Sequence, residues 1–250
     1  MTKPIANPSV PCCGPLDRRA FLRLSSALAA VGLAAPVLPT GIAHADALTR
    51  EQREKMTPDD ILAVMKNGNE RFRKGERKER NYLAEQRASA SGQYPATVIL
   101  SCIDSRAPAE VIMDLGIGDV FNCRVAGNVV NDDILGSMEF ACKVTGSKVA
   151  VIMGHTACGA IKGAIDDVEL GNLTQLLAKI RPAVAATKFE GDRSSKNPAF
   201  VDAVAKTNVE LAMKELLARS PILKDLETQK KIDIVGAMYN IETAQVDFFL

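Results

Sequence analysis

The chain has 250 residues, with 31 basic and 30 acidic side chains, 47% hydrophobic residues, 4% aromatic ones and no tryptophan. Such a hydrophobic share supplies a packed core and excludes a disordered chain. A formal net charge of +1, without a basic run interleaved with aromatics, argues against nucleic acid as a partner.

Residues 1–45 read as a leader outside the fold. Asp17-Arg18-Arg19-Ala20-Phe21-Leu22-Arg23 precedes an Ala/Leu-rich run from Leu24 to about Leu38, and Ala43-His44-Ala45 forms a small-x-small cleavage site before Asp46. A basic start, an apolar middle and small residues at the end make a secretory signal. The paired arginines mark the twin-arginine kind, which places the product in the periplasm. Pro36 and Pro39 interrupt the apolar run, which would span a bilayer poorly. Cleavage leaves Cys102, Cys123, Cys142 and Cys158, with His155 as the one histidine.

Residues 46–94 read as a linker and an N-terminal helical arm. Asp46 to about Thr57 is charged linker. Thr57 then caps a helix with Pro58 in its first position and acids in its first turn, running to about Lys74. Gly75 to Ser91 is strongly polar and reads as a second amphipathic arm.

Residues 95–250 read as one α/β domain. Ala96–Leu100 is a short β-branched apolar run, hence a buried strand. A short helix from Pro108 to Leu115 follows, then a strand over Asp119–Val125. A helix over Asp132–Thr145 ends at Gly146. Lys148–Met153 is a third strand running into Gly154-His155. Helices are expected over about Ala157–Ile165, Leu173–Lys188 and Pro198–Arg219. A fourth strand follows over Ile232–Tyr239, and Gln245–Phe249 adds an edge strand. Strands alternating with helices predict a parallel four-stranded core sheet, with the fifth strand at its edge, flanked by helices.

Two motifs fall at strand ends. Ser101-Cys102-Ile103-Asp104-Ser105-Arg106 follows the first strand, and Gly154-His155-Thr156-Ala157-Cys158-Gly159 follows the third. In open parallel sheets the carboxyl ends of the strands form the functional crevice. If those strands are neighbours, Cys102, His155 and Cys158 converge there. Two thiolates and an imidazole suit zinc, and three protein ligands leave a fourth position for water. Cys158 would begin a helix, whose backbone N–H groups favour a thiolate. Arg106 can fix the Asp104 carboxylate through paired hydrogen bonds. Held that way, Asp104 could orient a zinc-bound water or hydroxide; released, it could instead ligate the zinc as a fourth, blocking group. On ligand spacing alone, buried structural cysteines are the commoner reading, since a Cys at the end of a buried strand is usually a small hydrophobe.

The CxDSR and GHxxCG pair, about fifty residues apart, together with Ala126-Gly127-Asn128, resembles the β-class carbonic anhydrases over roughly Pro95 to Ile165. The resemblance implies zinc held by Cys102, His155 and Cys158, with an Asp104–Arg106 dyad. It also implies a homodimer or homotetramer clasped by N-terminal helices, with active sites near the subunit interface. Two positions depart from the common forms CSDSR and RNAGN: Ile103 and Val125. Some relatives carry a regulatory bicarbonate pocket built on a tryptophan, and this chain has none. The implied reaction is reversible hydration of CO₂ to bicarbonate and a proton by zinc-bound hydroxide. A CS₂ or COS hydrolase on the same scaffold and a non-catalytic zinc-binding protein are the rivals. Cys123 and Cys142 read as buried thiols, with a disulfide between them as the alternative.

Overall fold

A computed structural model describes residues 47–249 of the chain. The leader expected over residues 1–45, with its paired arginines and cleavage site, lies outside them. No helix among the described residues is long and apolar enough to cross a membrane.

The arm comprises three helices: α1 (Arg50–Lys55), α2 (Pro58–Lys74) and α3 (Tyr82–Ser89). α1 replaces the expected linker. Thr49 and Gln52 form a reciprocal capping box, which satisfies orphan amides that a charged linker would leave to water. α2 begins and ends where its signals predict: Thr57 caps it reciprocally with Asp60, and Gly75 closes it at φ +72°.

The body alternates strand and helix: β1 (Thr97–Ser101), α4 (Ala109–Ile112), β2 (Val120–Arg124), α5 (Asp132–Glu139), β3 (Val149–His155), α6 (Gly159–Ile165), α7 (Gly171–Ala178), α8 (Arg181–Ala186), α9 (Pro198–Arg219), α10 (Pro221–Thr228), β4 (Asp233–Tyr239) and β5 (Val246–Phe249). The sheet order is β2-β1-β3-β4-β5, parallel throughout except for the antiparallel edge strand β5. The expected parallel core and fifth edge strand are both present.

The body departs from the expected elements in three places. The helix expected over Asp132–Thr145 widens after Glu139 into a π-helical stretch, Phe140–Thr145, before Gly146 ends it at φ +86°. The helix expected over Leu173–Lys188 is two helices. Pro182 lacks an N–H and its ring would clash with the Ala178 carbonyl of a continuous helix, so α7 ends at Ala178 and α8 restarts with Pro182 in its first turn, where no N–H bond is needed. α10 was not anticipated, although Ser220 and Pro221 mark its start: the Ser220 hydroxyl accepts from the Leu223 N–H at 3.1 Å.

Every residue of β1 and β3 is buried, because helices cover both faces of the sheet. On one face Ile99, Val151 and Met153 pack with Ile61 and Met65 of α2 and with Ile112 and Met113. On the other, Val98, Leu100 and Ile152 pack with Met138, Val209 and Leu216. Each such side chain contributes ~1.5–3 kcal/mol on burial. Asn69 ties the arm to the sheet edge: it donates to the Ile112 and Ala244 carbonyls and accepts from the Val246 N–H at 3.0 Å.

At Gly68 α2 lies directly against the body. A Cβ there would overlap the Met113 carbonyl, which is backbone and cannot swing aside. Gly68→Ala is therefore expected to lower stability by about 1–3 kcal/mol despite the better helix propensity of alanine. Thermal unfolding monitored by circular dichroism measures it; an unchanged or raised Tm would contradict this packing.

Candidate metal centre

The parallel register pairs Ser101 of β1 with Met153 of β3. Cys102 therefore leaves β1 beside the end of β3, where His155 is the last strand residue. After a two-residue turn comes Cys158, the N-cap residue of α6. The ligand atoms of Cys102, His155 and Cys158 all lie within 4.8 Å of one another, and all three residues are buried. The structure thus brings together the three residues that the motifs single out. Asp104 lies beside the set, its Oδ2 at 3.8 Å from His155 Nε2.

Hydrogen bonds orient these groups. His155 Nδ1 faces the Thr156 carbonyl at 2.9 Å, which assigns the ring proton to Nδ1 and leaves a lone pair on Nε2. That Nε2 is buried and has no hydrogen-bond partner. A buried acceptor without a partner is costly unless something else fills the role. Two sulfurs and such a nitrogen fit a borderline-soft divalent ion.

The two thiols share their protons unequally. The Cys102 thiol is pushed down to about 4, chiefly because Cys158 hydrogen-bonds to it; burial opposes this, and His155 and the Gly127 N–H assist. Cys158 is pushed far up for the reciprocal reason, with burial adding to it. At His155 burial disfavours the charged ring, but the nearby Cys102 sulfur, the Thr156 carbonyl and Asp104 outweigh it and raise its pKa.

Arg106 grips Asp104 with two parallel bonds: Nε to Oδ1 at 2.9 Å and Nη2 to Oδ2 at 2.7 Å. The Arg106 backbone N–H also donates to Oδ1 at 2.9 Å. These bonds hold the Asp104 carboxyl well below the usual carboxylate range, against a smaller cost of burial.

Arg124 and Gly127 belong to the segment that resembles RNAGN, but their contacts could not be read from it, and Asn208 carries no motif signal. Arg124 at the end of β2 donates to the Cys102 carbonyl at 3.0 Å and the Asp104 carbonyl at 2.6 Å, bracing the loop that carries both. The Gly127 N–H points at Cys102 Sγ at 3.3 Å. Gly127 itself takes φ +65° and is held by buried Asn208, whose Nδ2 donates to its carbonyl at 2.8 Å. Ile103 is exposed at 60%, and Val125 is half-buried. Cys123 and Cys142 are free thiols; burial pushes Cys142 up to about 12.

Comparison with known proteins agrees with this geometry. The family pattern described as carbonic anhydrase matches residues 97–246, which is more than half of the chain. The chain belongs to the β-class carbonic anhydrases. It is 33% identical to carbonic anhydrase 2 of Mycobacterium tuberculosis over 185 residues, covering 72% of this chain and 86% of the relative. The carbonic anhydrase of Mycolicibacterium smegmatis is 31% identical over 190 residues, covering 74% and 89%. Among solved structures, a β-carbonic anhydrase of Aspergillus fumigatus superposes with a TM-score of 0.60 at 26% identity, covering 76% of this chain and 89% of that one. One of the tetrameric β-carbonic anhydrases of Sordaria macrospora gives 0.56 at 26%, covering 64% and 83%. In enzymatic class the chain is accordingly a carbonic anhydrase, a lyase.

Metal must displace the proton on Cys158. With Cys158 raised above its ordinary pKa, affinity falls as pH falls, and uptake releases a proton. Calorimetric titration of metal-free chain with zinc at pH 7, in buffers of differing ionisation enthalpy, is expected to report release of about one proton or more per ion bound. Uptake without proton release would contradict this protonation pattern.

Proposed function

We propose that Cys102, His155 and Cys158 hold one zinc ion and that the chain uses it to hydrate CO₂ reversibly to bicarbonate and a proton. The observation that carries this reading is the buried, unpartnered His155 Nε2 set within 4.8 Å of two cysteine sulfurs. Three ligands leave one position open, as in catalytic rather than structural zinc sites. Zinc bound there supplies Lewis-acid chemistry, drawing the pKa of water at the open position from 15.7 down towards ~7.

The chain's own residues do the rest. His155 donates through Nε2 because Thr156 occupies the Nδ1 proton. Asp104, ionised and 3.8 Å from that nitrogen, accepts a hydrogen bond from the attacking water and aims its lone pair at the CO₂ carbon. Arg106 keeps Asp104 charged and grips both of its carboxylate oxygens. Were that grip released, Asp104 could reach the metal as a fourth ligand and block it. One proton leaves per hydration. The single histidine of residues 47–249 is already a ligand, so buffer or a carboxylate carries that proton to solvent.

The protein acts, on this reading, as a homodimer or homotetramer. Phe140 and Val144 project from the π-helical stretch at 50% and 71% exposure, giving a second copy an apolar surface. The Sordaria macrospora relatives are tetrameric. Export to the periplasm rests on the leader read over residues 1–45. Replacing Arg18 and Arg19 with lysine is expected to leave the uncleaved chain in the cytoplasmic fraction; unaltered export would contradict the twin-arginine route.

Stopped-flow CO₂ hydration by the chain from Asp46, with zinc and molecular mass measured on the same sample, tests the enzyme. We expect about one zinc per chain, the mass of two or four chains and clear activity. Arg106→Ala is expected to keep its zinc and lose about 100-fold in kcat/KM. Full zinc occupancy without CO₂ hydration would overturn the reading and direct assays to CS₂ and COS.

A further inference from the structure

Only Thr156 and Ala157 join His155 to Cys158, and Ala157 sits at φ +54°. An alanine in this left-handed region pushes its Cβ towards its own carbonyl oxygen, a cost that glycine avoids. Such strain persists only where the surroundings over-determine it. Here three hydrogen bonds hold the turn. The Thr156 N–H donates to the Tyr239 carbonyl at 2.9 Å. The Thr156 hydroxyl accepts from the Ile241 N–H at 3.1 Å. The Ala157 N–H donates to Asp202 Oδ1 at 2.9 Å.

The third bond differs from the others. The Ala157 N–H belongs to the peptide unit whose tilt sets φ of Ala157, so its partner directly controls the strained angle. That partner is a carboxylate, which makes the bond charge-assisted. It is also rigidly mounted: Asp202 lies on the 22-residue helix α9, between Phe200, Val201, Val204 and Ala205, all of them buried. Were Ala157 to relax to a negative φ, the chain beyond it would turn and carry the Cys158 sulfur away from His155 Nε2.

We propose that Asp202 is a positioning residue for the metal centre: its carboxylate holds the Thr156–Ala157 peptide in the left-handed turn that brings His155 and Cys158 to one ion. This rests on the metal-site reading above. Asp202 touches neither metal nor substrate and acts through the turn. The rival view is that an acid in the early turns of α9 only stabilises that helix, in which case metal affinity would not depend on what stands at position 157.

The test is a double-mutant cycle read as cobalt(II) affinity, by chelator competition and by the visible spectrum of the bound ion, on the whole chain from Asp46. Asp202→Ala is expected to weaken cobalt binding about tenfold and to alter the spectrum. Asp202→Asn keeps an oxygen acceptor and is expected to stay within about threefold of wild type. Ala157→Gly removes the penalty on the left-handed turn, so in that background Asp202→Ala is expected to cost about threefold or less. Asp202→Ser, whose hydroxyl is too short to reach the Ala157 N–H, replaces Asp202→Ala if the latter does not fold. Wild-type affinity in Asp202→Ala (or in Asp202→Ser where it stands in), or an equal loss in both backgrounds, would overturn the proposal while leaving the metal site standing. A wild-type chain that takes up no cobalt would overturn the metal reading and this inference with it.

Discussion

The parallel ladder between β1 and β3 aligns Ser101 with Met153, and that register decides what the molecule can do. It sets Cys102, the first residue past one strand, near His155, the last residue of the other. A slip of one residue would reverse which side chains face each side of the sheet. It would send Val98, Leu100, Ala150 and Ile152 to the face they now avoid, and since both faces are apolar it is the fit of side-chain shapes in each packed core that resists the slip. The apolar core thereby specifies the geometry of a polar site to which it contributes no ligand.

The site concentrates features that ordinary folding avoids. It buries an imidazole nitrogen without a partner, places two thiols in contact and carries Ala157 and Asn128 at positive φ. Each is unfavourable alone. Together they describe a donor set suited to a cation: a lone pair and two sulfurs within 4.8 Å of one another, held by strained backbone. Around it a second ring of contacts comes from distant elements: Arg124 from β2, Asn208 and Asp202 from α9. All three grip backbone carbonyls or amides of the loops rather than ligand side chains. Ligand orientation therefore depends on the packing of α9 against β3, which in turn depends on Val204, Ala205 and Val209.

Legibility in the sequence followed the range of the interaction. α2 and α9 begin where Thr57-Pro58 and Asn197-Pro198 place them, because a cap is decided within four residues. β1 and β3 fall within one or two residues of their apolar runs, since burial on both faces leaves a continuous hydrophobic signal. The ligand triad and the Asp104–Arg106 dyad were readable as short motifs, and the resemblance to a known family joined them. The arrangement around them was not. Arg124 and its two carbonyls are about twenty residues apart, Asp202 and Ala157 are 45 apart, and Asn208 and Gly127 are 81 apart. No local pattern announces such pairs. The break before α8 and the helix α10 were both signalled, by Pro182 and by Ser220-Pro221. The first was hidden by an apolar pattern that runs across the break, and the second by a short, lysine-rich segment.

The central claim is that two sulfurs and one imidazole nitrogen of this chain hold a single zinc with one position to spare. X-ray absorption at the zinc edge, on the zinc-loaded chain from Asp46, tests it most directly. The account predicts two sulfur neighbours at about 2.3 Å and two lighter neighbours at about 2.0–2.1 Å. A shell of four sulfurs, or one without any sulfur, would contradict it.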